Sequence, residues 1–202
     1  IENFPFVSAK NLTLNLSGGK KIDVWAARIS YVGESGWEIY LNNDSDDGLA
    51  LYDSLLEVGV VPVGIETYAN SRRLEKSFRL QGADLETEYN AIEAAIQRPL
   101  VKEADFHGKA AHLSHREEDP CAVLCTMTLD DLNVSGKTRY PVGISPIVDP
   151  ATGEVPIDSK GRRSYTTGMS YCPSIKKFVV MGYLPKEIAI KGKSLLIEYF
   201  NE

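Results

Sequence analysis

The sequence predicts an α+β protein: an antiparallel sheet with helices over residues 1–115, followed by a β-rich, barrel- or jelly-roll-like portion over residues 116–202. Three observations predict it. Residues 10–63 read in β-β-β-α-β order, with β-formers broken by Gly-containing turns. The charge run Arg116-Glu117-Glu118-Asp119-Pro120 marks a change of texture. Beyond it, short strand-like segments recur between Gly and Pro breaks, at the spacing of small sandwiches and barrels.

Lys10 to Leu16 and Lys20 to Tyr31 are rich in β-formers, and the Ser17-Gly18-Gly19 between them is hairpin-turn chemistry. Trp37 to Leu41 reads as a third strand. The acidic and amide residues from Asn42 to Asp47 then suit a helix start, because negative charge is favourable at the N-terminal end of the helix dipole. That helix is predicted to run to about Val58, with Leu49, Tyr52, Leu55 and Leu56 as its apolar face and Gly59 as its cap. Val60 to Val63 reads as a short strand. A second helix, Ile65 to Phe78, has a weak apolar stripe, because Tyr68, Arg72 and Glu75 share one face, which predicts a polar surrounding. Residues 93–113 read as loop with short helix. The later strand candidates are Cys121–Leu129, Tyr140–Ile147, Arg162–Met169, Phe178–Leu184 and Ser194–Phe200.

Composition excludes several classes of function. The 202 residues are 43% hydrophobic and 25% charged, long enough to bury a core without staples. A formal net charge of -6 argues against a nucleic-acid partner, which calls for a basic stripe. No apolar run approaches the ~20 residues needed to cross a bilayer, and the opening Ile1-Glu2-Asn3-Phe4-Pro5 lacks the plan of a secretory leader. Three cysteines, Cys121, Cys125 and Cys172, make no disulfide framework and point to a reducing, cytoplasmic setting. His107, His112, His115, Cys121 and Cys125 are potential zinc ligands. Their H-x₂-H and C-x₃-C spacings differ from the tight pairs of structural zinc sites, so no metal is assigned. Cys172 has no histidine near it in sequence and is not assigned as a nucleophile.

The sharpest local feature is Arg28-Ile29-Ser30-Tyr31-Val32-Gly33-Glu34-Ser35-Gly36-Trp37-Glu38-Ile39, where a strand ends, glycines turn the chain, and a carboxylate opens the next strand. This segment resembles the R-x-x-Y-x-G-E-x-G-x-E-I block of the aminomethyltransferase family, which includes the T-protein of glycine cleavage and the folate domains of dimethylglycine and sarcosine dehydrogenases. Further blocks follow in order. Ser71 to Leu80 is similar to S-L-R-L-E-K. Gly82-Ala83-Asp84 with Glu88-Tyr89-Asn90-Ala91-Ile92-Glu93-Ala94 is similar to G-A-D-x-x-x-E-Y-x-x-x-E-A. Phe106 to Ala111 resembles F-x-G-K-x-A, and Ser174 to Tyr183 resembles S-x-x-K-x-x-x-x-G-Y. The wording is closest to the dehydrogenase branch.

The resemblance implies a tetrahydrofolate site in which Glu38 holds the pterin and Tyr31 lies alongside. A pterin presents adjacent N–H and amino donors on one edge, and an ionised carboxylate accepts both in a charge-assisted pair. Tyr31 and Glu38 also suit a half-buried strand aromatic and a solvent-facing strand carboxylate. Where the T-protein branch carries an arginine before its serine, this chain has Ala69, so that assignment does not carry over. Arg72 lies three residues on, close to the same helical face, and reads either as reaching a similar anionic group or as an ordinary surface arginine. Lys176-Lys177 and Arg162-Arg163 are candidates for a basic rim around the folate tail.

The family's catalytic aspartate lies in an amino-terminal half expected to precede Ile1, so the catalytic residues are unknown. Any FAD would belong to a missing upstream domain, because no G-x-G-x-x-G fingerprint is present. The implied division is a partial folate-binding domain over residues 1–115 and a C-terminal barrel domain over residues 116–202. The implied reaction transfers a one-carbon unit from a methylated amine or aminomethyl donor to tetrahydrofolate. The alternatives are a non-catalytic folate-binding module and a folate-dependent O- or S-demethylase on the same fold.

Overall fold

The computed structural model of the chain describes residues 3–42, 46–97, 100–134, 136–138 and 143–200. Two compact units divide after Ala69. This division by compactness is distinct from the change of sequence texture near residue 116.

In the first unit, Ser8–Asn15 (β1), Lys21–Arg28 (β2) and Glu38–Tyr40 (β3) form an antiparallel sheet in the order β1-β2-β3. The hairpin between β1 and β2 closes through a 3₁₀ turn, Ser17–Gly19. Gly18 and Gly19 have φ of 76° and 83°, the left-handed region that a Cβ disfavours. Strand alternation sends Leu12, Leu14, Ile22, Val24 and Ala26 to one face, where Phe4, Leu41, Ala50 and Leu51 complete a core. The opposite face carries Thr13, Asp23, Trp25 and Tyr40.

The helix Asp47–Glu57 (α1) ends as predicted. Gly59 has φ 89°, its N–H donates to the Leu56 carbonyl at 2.9 Å, and the Val60 N–H donates to that of Leu55 at 3.0 Å, a Schellman closure. Its buried face differs from the predicted one. Ala50 and Leu51 pack on the sheet, whereas Leu49, Tyr52 and Leu56 are exposed. Apolar residues surround much of this helix, so periodicity alone could not choose the face. Polar tethers select it: Lys20 pairs with Asp47 at 2.6 Å, and the Ser17 N–H donates to Ser54 Oγ at 3.1 Å. The predicted strand at Val60–Val63 is instead exposed and irregular. Pro62 removes one of the donors that a ladder there would use.

The second predicted helix forms over residues 65–75, but Glu66–Arg72 is π-helical and only Arg73–Glu75 (α2) continues as α-helix. A π segment changes which residues share a face, so the i, i+4, i+7 reading of Tyr68, Arg72 and Glu75 does not apply unaltered.

In the second unit, Lys109–Glu117 (α3) precedes Ala122–Leu129 (β4), Asn133–Val134 (β5), Lys137–Thr138 (β6), Ile147–Val148 (β7), Thr166–Cys172 (β8), Lys177–Pro185 (β9) and Leu196–Ile197 (β10). The main sheet is antiparallel in the order β4-β9-β8, with β7 pairing β10 and β5 pairing β6. Strand β9 lies between two neighbours and is buried from Val179 to Pro185, as its near-continuous apolar run requires. The core comprises Leu74, Tyr89, Ala94, Ala122, Leu124, Cys172, Val179, Met181 and Tyr183. Strand β8 starts four residues later than Arg162, because Asp158 and Arg162 close a turn: the Asp158 N–H donates to the Arg162 carbonyl at 3.0 Å. The predicted strand Tyr140–Ile147 falls partly outside the described residues.

Candidate functional site

The β2–β3 connection is built by its own side chains. Ser30 Oγ accepts the N–H groups of Val32 and Glu34 at 3.3 and 3.1 Å, a local side-chain turn. Gly33 takes φ 71°, and a Cβ on Gly36 would lie 3.3 Å from the Ile29 carbonyl oxygen. At the base, Arg28 donates to the Phe4 carbonyl at 2.6 Å and lies over the Trp37 ring at 5.6 Å.

Glu38 opens β3 opposite Ala27 and is half-buried. It stands two residues from Tyr40 and therefore on the same sheet face, away from the apolar core. The Tyr40 hydroxyl donates to Glu38 Oε2. This hydrogen bond raises the Tyr40 pKa above the ordinary phenol value. Tyr40 is paired with Trp25, the two ring centroids 5.0 Å apart and the rings tilted by 58°. Asn11, Thr13, Asp23, Trp25, Tyr40 and Asn42 line a cleft of about 500 Å³ on this face.

Tyr31, also half-buried, meets the Tyr68 ring at 5.9 Å. The two residues singled out in the sequence, Tyr31 and Glu38, each meet a tyrosine that sequence reasoning did not assign, Tyr68 and Tyr40 respectively. The period-2 spacing of Glu38 and Tyr40 was a legible signal for one of them. Nothing in the sequence marked Tyr68 as a partner of Tyr31.

Arg72 belongs to the second unit. Its Nη1 donates to Ser174 Oγ at 2.8 Å and pairs with Glu75 at 3.3 Å, and its side chain is 40% exposed. Burial pushes the Glu75 carboxyl up, but hydrogen bonds from Ser174 and the Arg72 charge outweigh it and leave the carboxyl below its ordinary value. Arg72 and Glu75 thus meet the Ser174 loop, whereas Tyr68, grouped with them by helical spacing, packs against Tyr31.

The other motif residues hold the second unit together. Arg73, 1% exposed, pairs with fully buried Asp84 and donates to the Phe78 carbonyl at 3.0 Å. Asp84 also accepts the Thr167 hydroxyl and the Leu80 N–H. Tyr89 stacks on Tyr183 with centroids 3.5 Å apart, and Arg162 lies over the Tyr89 ring. The expectation that Arg162 lines a basic rim is corrected here: its side chain is 11% exposed, with Glu93 at 2.5 Å and Asp158 at 2.7 Å. Lys177 is engaged with Asp130 at 2.7 Å. Cys172 is buried, which pushes its thiol up to about 11, unsuited to nucleophilic work at neutral pH. Among the described residues no group of three or more His, Cys, Asp or Glu is placed to hold a metal ion, and no helix is long and apolar enough to cross a membrane.

Comparison with known proteins agrees with the motif order. The family model described as the GCVT N-terminal domain matches residues 1–103. Human mitochondrial dimethylglycine dehydrogenase is 32% identical over 214 residues, covering 98% of this chain and 21% of that protein. An aminomethyltransferase of Koribacter versatilis is 30% identical over 188 residues, covering 89% of this chain and 45% of that protein. The chain therefore spans from about a fifth to about half the length of these relatives. The crystal structure of the glycine cleavage system aminomethyltransferase T from Bartonella henselae superposes with a TM-score of 0.66 at 24% identity, over 89% of this chain and 46% of that one, which establishes the fold as mixed α/β with antiparallel sheets. The chain belongs to the GCVT N-terminal domain family.

Proposed function

We propose that this chain forms part of a tetrahydrofolate site in a protein that passes a one-carbon unit from a methylated amine or aminomethyl donor to folate. The observation that carries this reading is the half-buried Glu38 carboxylate on an aromatic sheet face, away from the core, within the segment that matches the family. A carboxylate there meets the donor edge of a pterin, and Tyr31 offers a ring for its flat face. Arg72, partly exposed in the second unit, is a separate candidate for binding an anionic group.

These residues bind and orient. Tetrahydrofolate supplies the nitrogens that accept the one-carbon unit, and no residue of this chain is assigned to proton transfer. Holding the acceptor close to a reactive donor converts a bimolecular encounter into a positioned one and limits loss of the donor to water. In this reading residues 1–115 belong to the folate-binding domain, residues 116–202 contribute to a barrel-like C-terminal domain, and the setting is cytoplasmic. The mitochondrial relative named dimethylglycine dehydrogenase favours an N-methyl amine as the donor.

Isotope tracing distinguishes the readings. The intact protein is incubated with tetrahydrofolate and either an N-methyl-labelled amino acid together with a two-electron oxidant, which takes the N-methyl carbon to the iminium level, or an aminomethyl donor labelled at its methylene carbon. Label in the methylene bridge of folate is the predicted result. Label in a folate methyl group supports a demethylase, and binding of folate with no labelled product supports a non-catalytic module.

A further inference from the structure

We infer that Tyr40 is a positioning residue for the Glu38 carboxylate, fixing which of its oxygens is presented to a ligand. The inference rests on the proposed folate reading and deepens it.

Glu38 has three side-chain torsions, and on a partly exposed strand end several rotamers are open to it. Bidentate recognition of two neighbouring donors needs one of them. The Tyr40 hydroxyl takes one oxygen, Oε2, from the same face of the same strand. Tyrosine is suited to this, because its ring has only two torsions and is packed against Trp25 across the β2–β3 pair at 5.0 Å. A carboxylate has about four acceptor sites, so the bond from Tyr40 leaves Oε1 and a second lone pair of Oε2 for a ligand's paired donors. Burial of the phenol in a core is not its purpose, since Tyr40 is 50% exposed. Its ring also walls the cleft shared with Trp25 and Asp23, on the same sheet face as Glu38.

The test is a mutant cycle on the intact protein, with tetrahydrofolate titrated calorimetrically into wild type, Tyr40→Phe, Glu38→Gln and the double variant. Phenylalanine keeps the ring against Trp25 and removes only the hydroxyl, and thermal unfolding of each variant checks the fold. The expected result is that Tyr40→Phe weakens binding about tenfold, as the loss of one charge-assisted hydrogen bond implies. Glu38→Gln also weakens it, and the double variant is no weaker than Glu38→Gln alone. Equal or tighter binding by Tyr40→Phe, with Glu38→Gln weakened, overturns the positioning role and leaves the folate site standing. Losses that multiply in the double variant also overturn it, because Tyr40 then acts independently of Glu38. Wild type that does not bind, or binding untouched by Glu38→Gln, overturns the folate site and the role of Tyr40 with it.

Discussion

Arg72 and Arg73 are adjacent in sequence but stand in different surroundings, and the surroundings decide what each can do. The Arg73 guanidinium is paired with Asp84 in a region sealed from water, where either charge left alone is costly. Its position is crowded: a Cβ on Gly168 would lie 2.6 Å from Arg73 Nη2, which accounts for glycine at that point of β8. Replacing Arg73 with Met strands the Asp84 charge and is predicted to cost about 3–5 kcal/mol of stability. Chemical denaturation of the intact protein followed by circular dichroism measures this, and a loss under 1 kcal/mol, within the ordinary range for exposed ion pairs, contradicts it. Arg72, by contrast, keeps much of its side chain in solvent and remains open to an anion. The sequence could nominate Arg72 for a site by its helical spacing from Ala69. It could not show that Arg73 is structural, because Met181, which it meets, and Thr167, which holds its partner Asp84, lie far along the chain from it.

Elements are joined in the second unit by a polar clamp as much as by apolar packing. Asn90 Oδ1 accepts the N–H groups of Ile92 and Glu93, shaping a turn that directs Glu93 to Arg162. Tyr165 reaches back to Glu88 at 3.1 Å. Burial raises the carboxyl pKa values of Glu93 and Asp158, but Arg162, with backbone N–H donors, outweighs it and holds both below their ordinary values. The folded state therefore binds fewer protons than the unfolded state as these groups titrate, and stability rises with pH through that window. Full stability is predicted above the ordinary values of 4.5 and 3.8, falling as acid takes the pH below them and through the lowered values of the folded state. Denaturation midpoints across that range in wild type and Arg162→Met check the sign: the variant, less stable at neutral pH, should lose less on acidification. A steeper acid loss in the variant contradicts the clamp.

The strands that carry these contacts were legible to different degrees. β4 and β9 follow their apolar runs within a residue or two. β8 was predicted too early, because Arg162 and Arg163 look like strand neighbours until the Asp158 turn claims Arg162 and a bridge to Ile157 takes Arg163. α1 was placed correctly, but its buried face depends on the Lys20 and Ser17 tethers and could not be read from periodicity.

At the scale of the whole molecule, the motif blocks divide into a framework and a site. The Ser71–Leu80, Gly82–Asp84 and Glu88–Ala94 blocks mostly build the second unit, while the Arg28–Ile39 block shapes a turn and delivers Glu38 to an exposed face of the first. The family and its fold class were readable because these blocks keep their order over nearly the full length of the chain. Tyr68 as the partner of Tyr31 was not, since their proximity depends on how a π-helical segment far along the chain is placed. The most direct test is a comparison of ligands at Glu38. Tetrahydrofolate and an analogue lacking the exocyclic amino donor are titrated into the intact wild-type protein and its Glu38→Ala variant. A pterin edge held by this carboxylate predicts that wild type prefers tetrahydrofolate by roughly tenfold to a hundredfold and that the preference collapses in the variant. Equal affinity of wild type for the two ligands contradicts it.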